Sequence, residues 1–193
     1  LRALSEVKSR LGAFDPVLAE RAATRWLERP PLEHDGYLEL LAATPRVIEA
    51  LAALPTAARA AIVRHAVRSA AGMAVFVDQS DPAGQLRLQT VDDLRDYCYA
   101  VAGIVGEMLT ELFLLGRPEL ASVSRELRER AVRFGEGLQL VNILKDVNAD
   151  AAAGRIYLPT SVPLRAVFDL ARADLAVANE YCDLLSSSGT ERG

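Results

Sequence analysis

Residues 139–150 read Gln139-Leu140-Val141-Asn142-Ile143-Leu144-Lys145-Asp146-Val147-Asn148-Ala149-Asp150, and Gly154-Arg155-Ile156-Tyr157-Leu158-Pro159 follows shortly after. Gln139, Asn142, Asp146 and Asp150 are spaced by three, four and four residues. A four-residue step in an α-helix advances about 40° around the axis and about 6 Å along it, so these polar groups form one ridge. Leu138, Val141, Ile143, Leu144 and Val147 fill much of the remaining circumference. A helix so apolar, carrying one ridge of carboxylates, suggests that the ridge faces a lined cavity. Two carboxylates one turn apart supply hard oxygen ligands without a closed cage, which suits magnesium shared with substrate phosphates. Lys145 and Arg155 lie close enough in sequence to give positive charge to the same phosphates. A solvated face is the competing reading, because aspartates at this spacing are commonplace.

Outward from this stretch, the chain reads as helix throughout. Alanine and leucine make up about a third of the 193 residues, and alternating β-branched runs are nearly absent, which predicts an all-α fold. Helices are expected over 2–12 and 16–28, the second opened by Asp15-Pro16 and stopped by Arg29-Pro30-Pro31. A further pair spans Tyr37 to Leu54, divided at Pro45, and another helix covers 57–77. Asp78 to Gly84 is rich in turn formers. Thr90 with Asp93 resembles a capping box that opens a helix over 91–115, ended by Gly116 and Pro118. Long helices over 119–150 and 164–185 complete one domain, 1–193, whose residues 186–193 read as a flexible polar tail.

Composition removes several classes of function. The net charge of −4 and the pI near 5.3 leave no basic footprint, so no nucleic-acid partner is expected. Cys98 and Cys182 build neither a disulfide framework nor a zinc site and fit a reducing cytoplasm. No uninterrupted apolar run reaches the roughly 18 to 20 residues that span a bilayer, and the first residues are no signal peptide. A start at Leu1 fits part of a longer gene product. Among lesser candidates, Asp92 and Asp96 read as structural, His34 as a loop residue, His65 as a surface histidine, Trp26 as packing and Cys98 as buried and inert.

The string 139–159 strongly resembles the second aspartate-rich signature of the squalene and phytoene synthase family. Tyr97-Cys98-Tyr99-Ala100-Val101-Ala102-Gly103-Ile104-Val105-Gly106, continuing to Leu112-Phe113, resembles the family's other signature, in the matching order and separation. Gly72-Met73-Ala74 with Phe76 is similar to a weaker landmark, and the resemblance is strongest over 37–160. It implies the isoprenoid synthase type of helical bundle around an apolar cavity, here incomplete. It also implies a magnesium-dependent prenyltransferase that joins two allylic diphosphates head to head through a cyclopropyl diphosphate. Oxygen ligands must then neutralise the departing diphosphate while dry walls shield a carbocation.

Carried over position by position, the resemblance makes Asp146 and Asp150 the magnesium ligands and Gln139, Asn142 and Arg155 diphosphate contacts, to which Lys145 is added by its nearness to the ridge in sequence. Tyr97 becomes the catalytic tyrosine, assisting proton removal or steadying the cation; a core aromatic with a bonded hydroxyl is its other reading. Ala102, Gly103 and Gly106 line the tunnel for the prenyl chain, or else mark a tight helix contact, since glycine inside a helix costs about 1 kcal/mol relative to alanine. Of the possible products, Gly72-Met73-Ala74 with Phe76 and Leu112-Phe113 incline toward squalene from two farnesyl diphosphates. Phytoene synthase acting on geranylgeranyl diphosphate, dehydrosqualene synthase and a non-catalytic prenyl diphosphate binder are the alternatives. A squalene producer would need NADPH, bound without a Gly-rich dinucleotide motif.

The chain also departs from the family pattern. The upstream aspartate-rich motif is missing, Ala149 replaces an acid, and the stretch after Pro159 is short. Little or no turnover is therefore expected of these 193 residues alone. The resemblance leaves room for a cytoplasmic protein with peripheral membrane contact and leaves the oligomeric state open.

Overall fold

The computed structural model describes residues 16–30, 34–81, 85–152, 154–159 and 161–187. Its helices are α1 (Pro16–Glu28), α2 (Asp35–Ala42), α3 (Thr44–Ala53), α4 (Thr56–Asp78), α5 (Val91–Cys98), α6 (Ile104–Gly116), α7 (Ser124–Ala152) and α8 (Leu164–Ser187). A π-helical turn, Tyr99–Gly103, joins α5 to α6, and a 3-10 turn, Pro118–Val123, leads into α7. Among the described residues the one extended pairing is an isolated parallel bridge between Arg87 and Ile156. The all-α expectation holds. The expected helix over 2–12 lies outside the described residues, as does the tail from residue 188 onward, whereas Ser186 and Ser187 belong to the end of α8.

Local chemistry accounts for the boundaries. The Thr90 hydroxyl accepts from the Asp93 backbone N–H at 3.0 Å, and the Asp93 carboxylate accepts from the N–H groups of Thr90 and Gln89, each at 2.9 Å. Those bonds hold the Asp93 carboxyl below its usual range. Pro45 sits in the first turn of α3, where its missing N–H costs nothing. α7 is followed by Gly154 at φ 77, a left-handed conformation that sends the chain back toward α7.

α7 and α8 form the spine of the bundle. Leu140 and Ile143 of α7 and Val167 and Ala171 of α8 are buried with Leu86, Leu88, Leu94 and Cys98. At the other end, Tyr181 stacks on Phe134 with ring centroids 4.6 Å apart and shares a 2.8 Å hydrogen bond with Thr110. α4 lies across the π turn, where the Ser69 hydroxyl donates to the Ala100 carbonyl at 2.7 Å. α1, α2 and α3 pack on one another around Ala23, Leu41 and Ile48.

The helix expected over 91–115 is present, running without a gap from α5 into α6 and containing the π turn, in which the Ile104 N–H reaches back to the Tyr99 carbonyl. The expectation about membrane spans concerned uninterrupted apolar runs. By length and composition, Thr56–Asp78 and Val91–Gly116 are each apolar enough to cross a bilayer. This allows membrane association without establishing it.

Candidate active site

α7 buries Leu140 and Ile143 while Leu138 and Val141 stay exposed, so the helix is apolar all round in sequence but covered on one side only. Along the polar ridge Gln139, Asp146 and Asp150 are half-buried, and Asn142 and Lys145 are exposed. The hollow adjoining the ridge is lined by Ile143, Val147, Asp150, Arg155, Tyr157 and Leu158 and holds about 30 Å³. That is room for water, far short of a prenyl chain. The helical bundle is present, and the ridge stands at an open edge of it.

The turn after α7 decides where Arg155 goes. Gly154 reverses the chain, the Arg155 N–H donates to the Asp150 carbonyl at 2.9 Å, and Ile156 then pairs with the 86–88 segment. The Arg155 guanidinium is thereby returned to α7, where Nε and Nη2 both donate to Oδ1 of Asp150 at 3.2 and 3.0 Å. Asp150 in turn raises the pKa of the guanidinium. Two of the predicted site residues are thus joined directly.

Tyr97 meets them from the opposite side. Its ring stacks on Tyr157 at 4.7 Å with an interplanar angle of 29°, and it makes an edge-to-face contact with Phe76 at 5.3 Å. Burial, together with the Tyr157 hydroxyl and the Asp150 carboxylate, pushes the Tyr97 phenol well above its ordinary value. At neutral pH it is a proton-bearing phenol, able to donate a hydrogen bond and to present an aromatic face.

Ala102, Gly103 and Gly106 are at the crossing of α7 with the π turn and α6. A Cβ on Gly106 would lie 2.0 Å from the Ala131 carbonyl oxygen, and one on Gly135 would lie 2.0 Å from that of Ala102. A Cβ on Gly103 would come within 2.8 Å of the Tyr99 ring and 3.2 Å of Val132. The space beside both predicted glycines is filled by protein, so the geometry here is that of tight helix packing. Gly135, their partner on α7, was not singled out from sequence, although a glycine inside a long helix is a signal for close approach.

A cluster of charges missed by sequence reasoning lies within the frame. Arg95 donates to Glu136 at 3.0 Å and lies 3.7 Å from Asp174, which also accepts from Arg133 at 3.0 Å. Burial raises the Glu136 carboxyl above its usual range, with Asp174 adding to the shift. His65, expected on the surface, is buried between α4 and α6. Its Nε2 lies 3.0 Å from Glu111, and its Nδ1 lies 3.1 Å from Arg68, which also bonds Glu107 and the Tyr99 hydroxyl. With Arg68 donating to Nδ1, the ring proton belongs on Nε2, facing the Glu111 carboxylate. A groove of about 290 Å³ adjoins this cluster.

The donor set at the ridge can be matched to a metal. No group of three or more His, Cys, Asp or Glu side chains among the described residues is placed to hold a cation. Asp146 and Asp150 offer two carboxylates, and Oδ2 of Asp150 is free of the Arg155 pair. Magnesium commonly takes one or two carboxylates and completes its shell with water and phosphate oxygens, so the residues present fit a magnesium ion that arrives with a diphosphate.

Residues 4–187 match the family described as squalene/phytoene synthase. The chain belongs to that family. Relatives within the squalene/phytoene synthase group include the phytoene synthase of Thermus thermophilus, 42% identical over 39% of this chain and 24% of its own length. Another is that of Arthrospira platensis, 41% identical over 46% of this chain and 30% of its own. The chloroplastic phytoene synthase of Daucus carota is 45% identical over 38% of this chain and 18% of its own. These matches span less than a third of each relative. A solved complex of TcSQS with a ligand superposes with a TM-score of 0.60 over 97% of this chain and 60% of that one, at 23% identity, which shows the fold. The sequence inclination toward squalene is not shared by these relatives, which are named phytoene synthases.

Proposed function

We propose that this chain carries part of the active site of a head-to-head prenyltransferase of the phytoene synthase kind, acting on geranylgeranyl diphosphate. The observation that carries the reading is the meeting of the Asp150–Arg155 pair with the Tyr97–Tyr157 stack at the end of the α7 ridge. Charge for a leaving diphosphate and aromatic faces for a cation are thereby adjacent. The names of the relatives support phytoene over squalene.

In this reading Asp146 and Asp150 would hold magnesium, and the bound ion would supply positive charge to offset that of a diphosphate. Gln139 and Asn142 donate side-chain N–H groups to diphosphate oxygens, and Lys145 adds a mobile positive charge at the exposed edge. Arg155 exchanges its Asp150 carboxylate for phosphate oxygens, a change its exposed position permits. Tyr97 keeps its proton, faces the allylic cation and orients the double bond that captures it. One C–O bond breaks, one diphosphate departs, and loss of a proton to that diphosphate closes the cyclopropane; breaking of the second C–O bond, departure of the second diphosphate and loss of a second proton then give phytoene. A phytoene product requires no hydride, so NADPH enters only if the product is squalene.

A prenyl diphosphate binder without turnover is the second reading, favoured by the presence of only two carboxylates on the ridge and by the Arg155 lock on one of them. The test is incubation of the chain with magnesium and radiolabelled geranylgeranyl or farnesyl diphosphate, beside Asp146→Ala. An apolar product from the longer substrate, absent in the variant, supports the proposal. Binding of the diphosphate without product supports the second reading, and equal binding by both proteins overturns the metal assignment.

A further inference from the structure

We propose that Tyr157 is a positioning residue for Tyr97, holding its ring in place by stacking. Its importance for turnover rests on the head-to-head reading above; its structural content rests on packing alone.

Phe76 touches Tyr97 edge-on and carries no polar atom, so it restrains the ring and leaves the hydroxyl free to rotate. Tyr157 lies against the ring face at 4.7 Å and is the neighbour that brings a second phenol. The upward displacement of the Tyr97 phenol by Tyr157 agrees with that placement.

Tyr157 is itself held firmly. Ile156, its neighbour, donates to the Leu86 carbonyl at 3.0 Å and accepts from the Leu88 N–H at 3.2 Å. Two residues before Tyr157, Arg155 is fastened to Asp150, and two residues after it Pro159 is buried. The turn at Gly154 places all of these at the end of α7. The segment that closes the carboxylate ridge therefore also sets the tyrosine on the opposite helix. A movement of Arg155 onto a diphosphate would be felt at Tyr97 through Tyr157.

The test compares the full chain with Tyr157→Phe, which preserves the ring and removes the hydroxyl, and with Tyr157→Ala, which removes both. The first readout is the rate of tetranitromethane nitration of each tyrosine, mapped by peptide mass spectrometry at about pH 8, with Tyr99 as internal control because Arg68 holds its hydroxyl. Tyr157→Ala should nitrate Tyr97 about fivefold faster, the effect of losing one aromatic stack, while Tyr157→Phe keeps the stack and stays near wild type, and Tyr99 is unchanged in both. The second is turnover of geranylgeranyl diphosphate with magnesium, where kcat should fall about fivefold at constant KM in Tyr157→Ala and be restored in Tyr157→Phe. Unchanged Tyr97 nitration in Tyr157→Ala, or nitration in Tyr157→Phe as fast as in Tyr157→Ala, overturns the proposal, whatever the turnover. Faster nitration in a protein whose wild type forms no product keeps the positioning role and removes the head-to-head reading instead.

Discussion

Gly135→Ala tests the helix crossing that underlies the site. The added Cβ would lie 2.0 Å from the Ala102 carbonyl oxygen, 2.6 Å from its carbon and 3.1 Å from the Gly103 Cα. All three are backbone atoms, so no rotamer change relieves the overlap and α7 must move away from the π turn by about 1 Å. Overpacking of this kind costs about 3 kcal/mol or somewhat more, and alanine recovers about 1 kcal/mol in helix propensity. The net loss is about 2–3 kcal/mol, equivalent to roughly 5–10 °C in Tm for a chain of this size. Thermal unfolding followed by circular dichroism at 222 nm measures it. Gly116→Ala is the control, because nothing lies within 4 Å of the added atom; it should leave Tm unchanged or raise it slightly. A Gly135→Ala protein that melts within a degree or two of wild type would refute the close crossing. Gly135 stands one helical turn before Gln139, and Ala102 stands five residues after Tyr97, so the same displacement would also separate the two halves of the site.

Thr90→Ala should lower stability by about 1 kcal/mol through loss of the cap, read as a Tm drop of about 2–4 °C. The Asp93 carboxyl is held low by the N–H groups of Gln89 and Thr90, so its contribution is complete above its unfolded value near 4 and disappears as pH falls through the lower folded value. Wild type should therefore exceed Asp93→Asn in Tm at pH 7 and converge with it toward pH 2; a constant gap would contradict the assignment. Glu136 has the opposite sign: with its folded pKa raised by burial, it favours the folded state below about pH 4 and loses that advantage as pH rises through the folded value. The Tm of Glu136→Gln relative to wild type should consequently increase from pH 4 to pH 7, and a decrease would show that Arg95 outweighs burial. The Cys98 thiol, 1% exposed and pushed up to about 12 chiefly by burial, should resist iodoacetamide at pH 8 while exposed Cys182 is alkylated, as mass spectrometry would report.

The all-α class, the capping box at Thr90 and the ridge on α7 were legible in the sequence by itself, because each depends on spacing within one helix, and helical spacing is set by the backbone. Arg155 near Asp150 was legible as well, since it follows only five residues later in the chain. Tertiary structure alone decided what those helices face. It placed Gly103 and Gly106 against α7, buried His65 between two glutamates, and left Leu138 and Val141 uncovered beside the ridge. It also brought Tyr157 onto Tyr97 across sixty residues of chain. Periodicity records that a side of a helix is apolar or polar, but the identity of its neighbour depends on crossings between distant segments, and a single chain read in one dimension carries no measure of those distances.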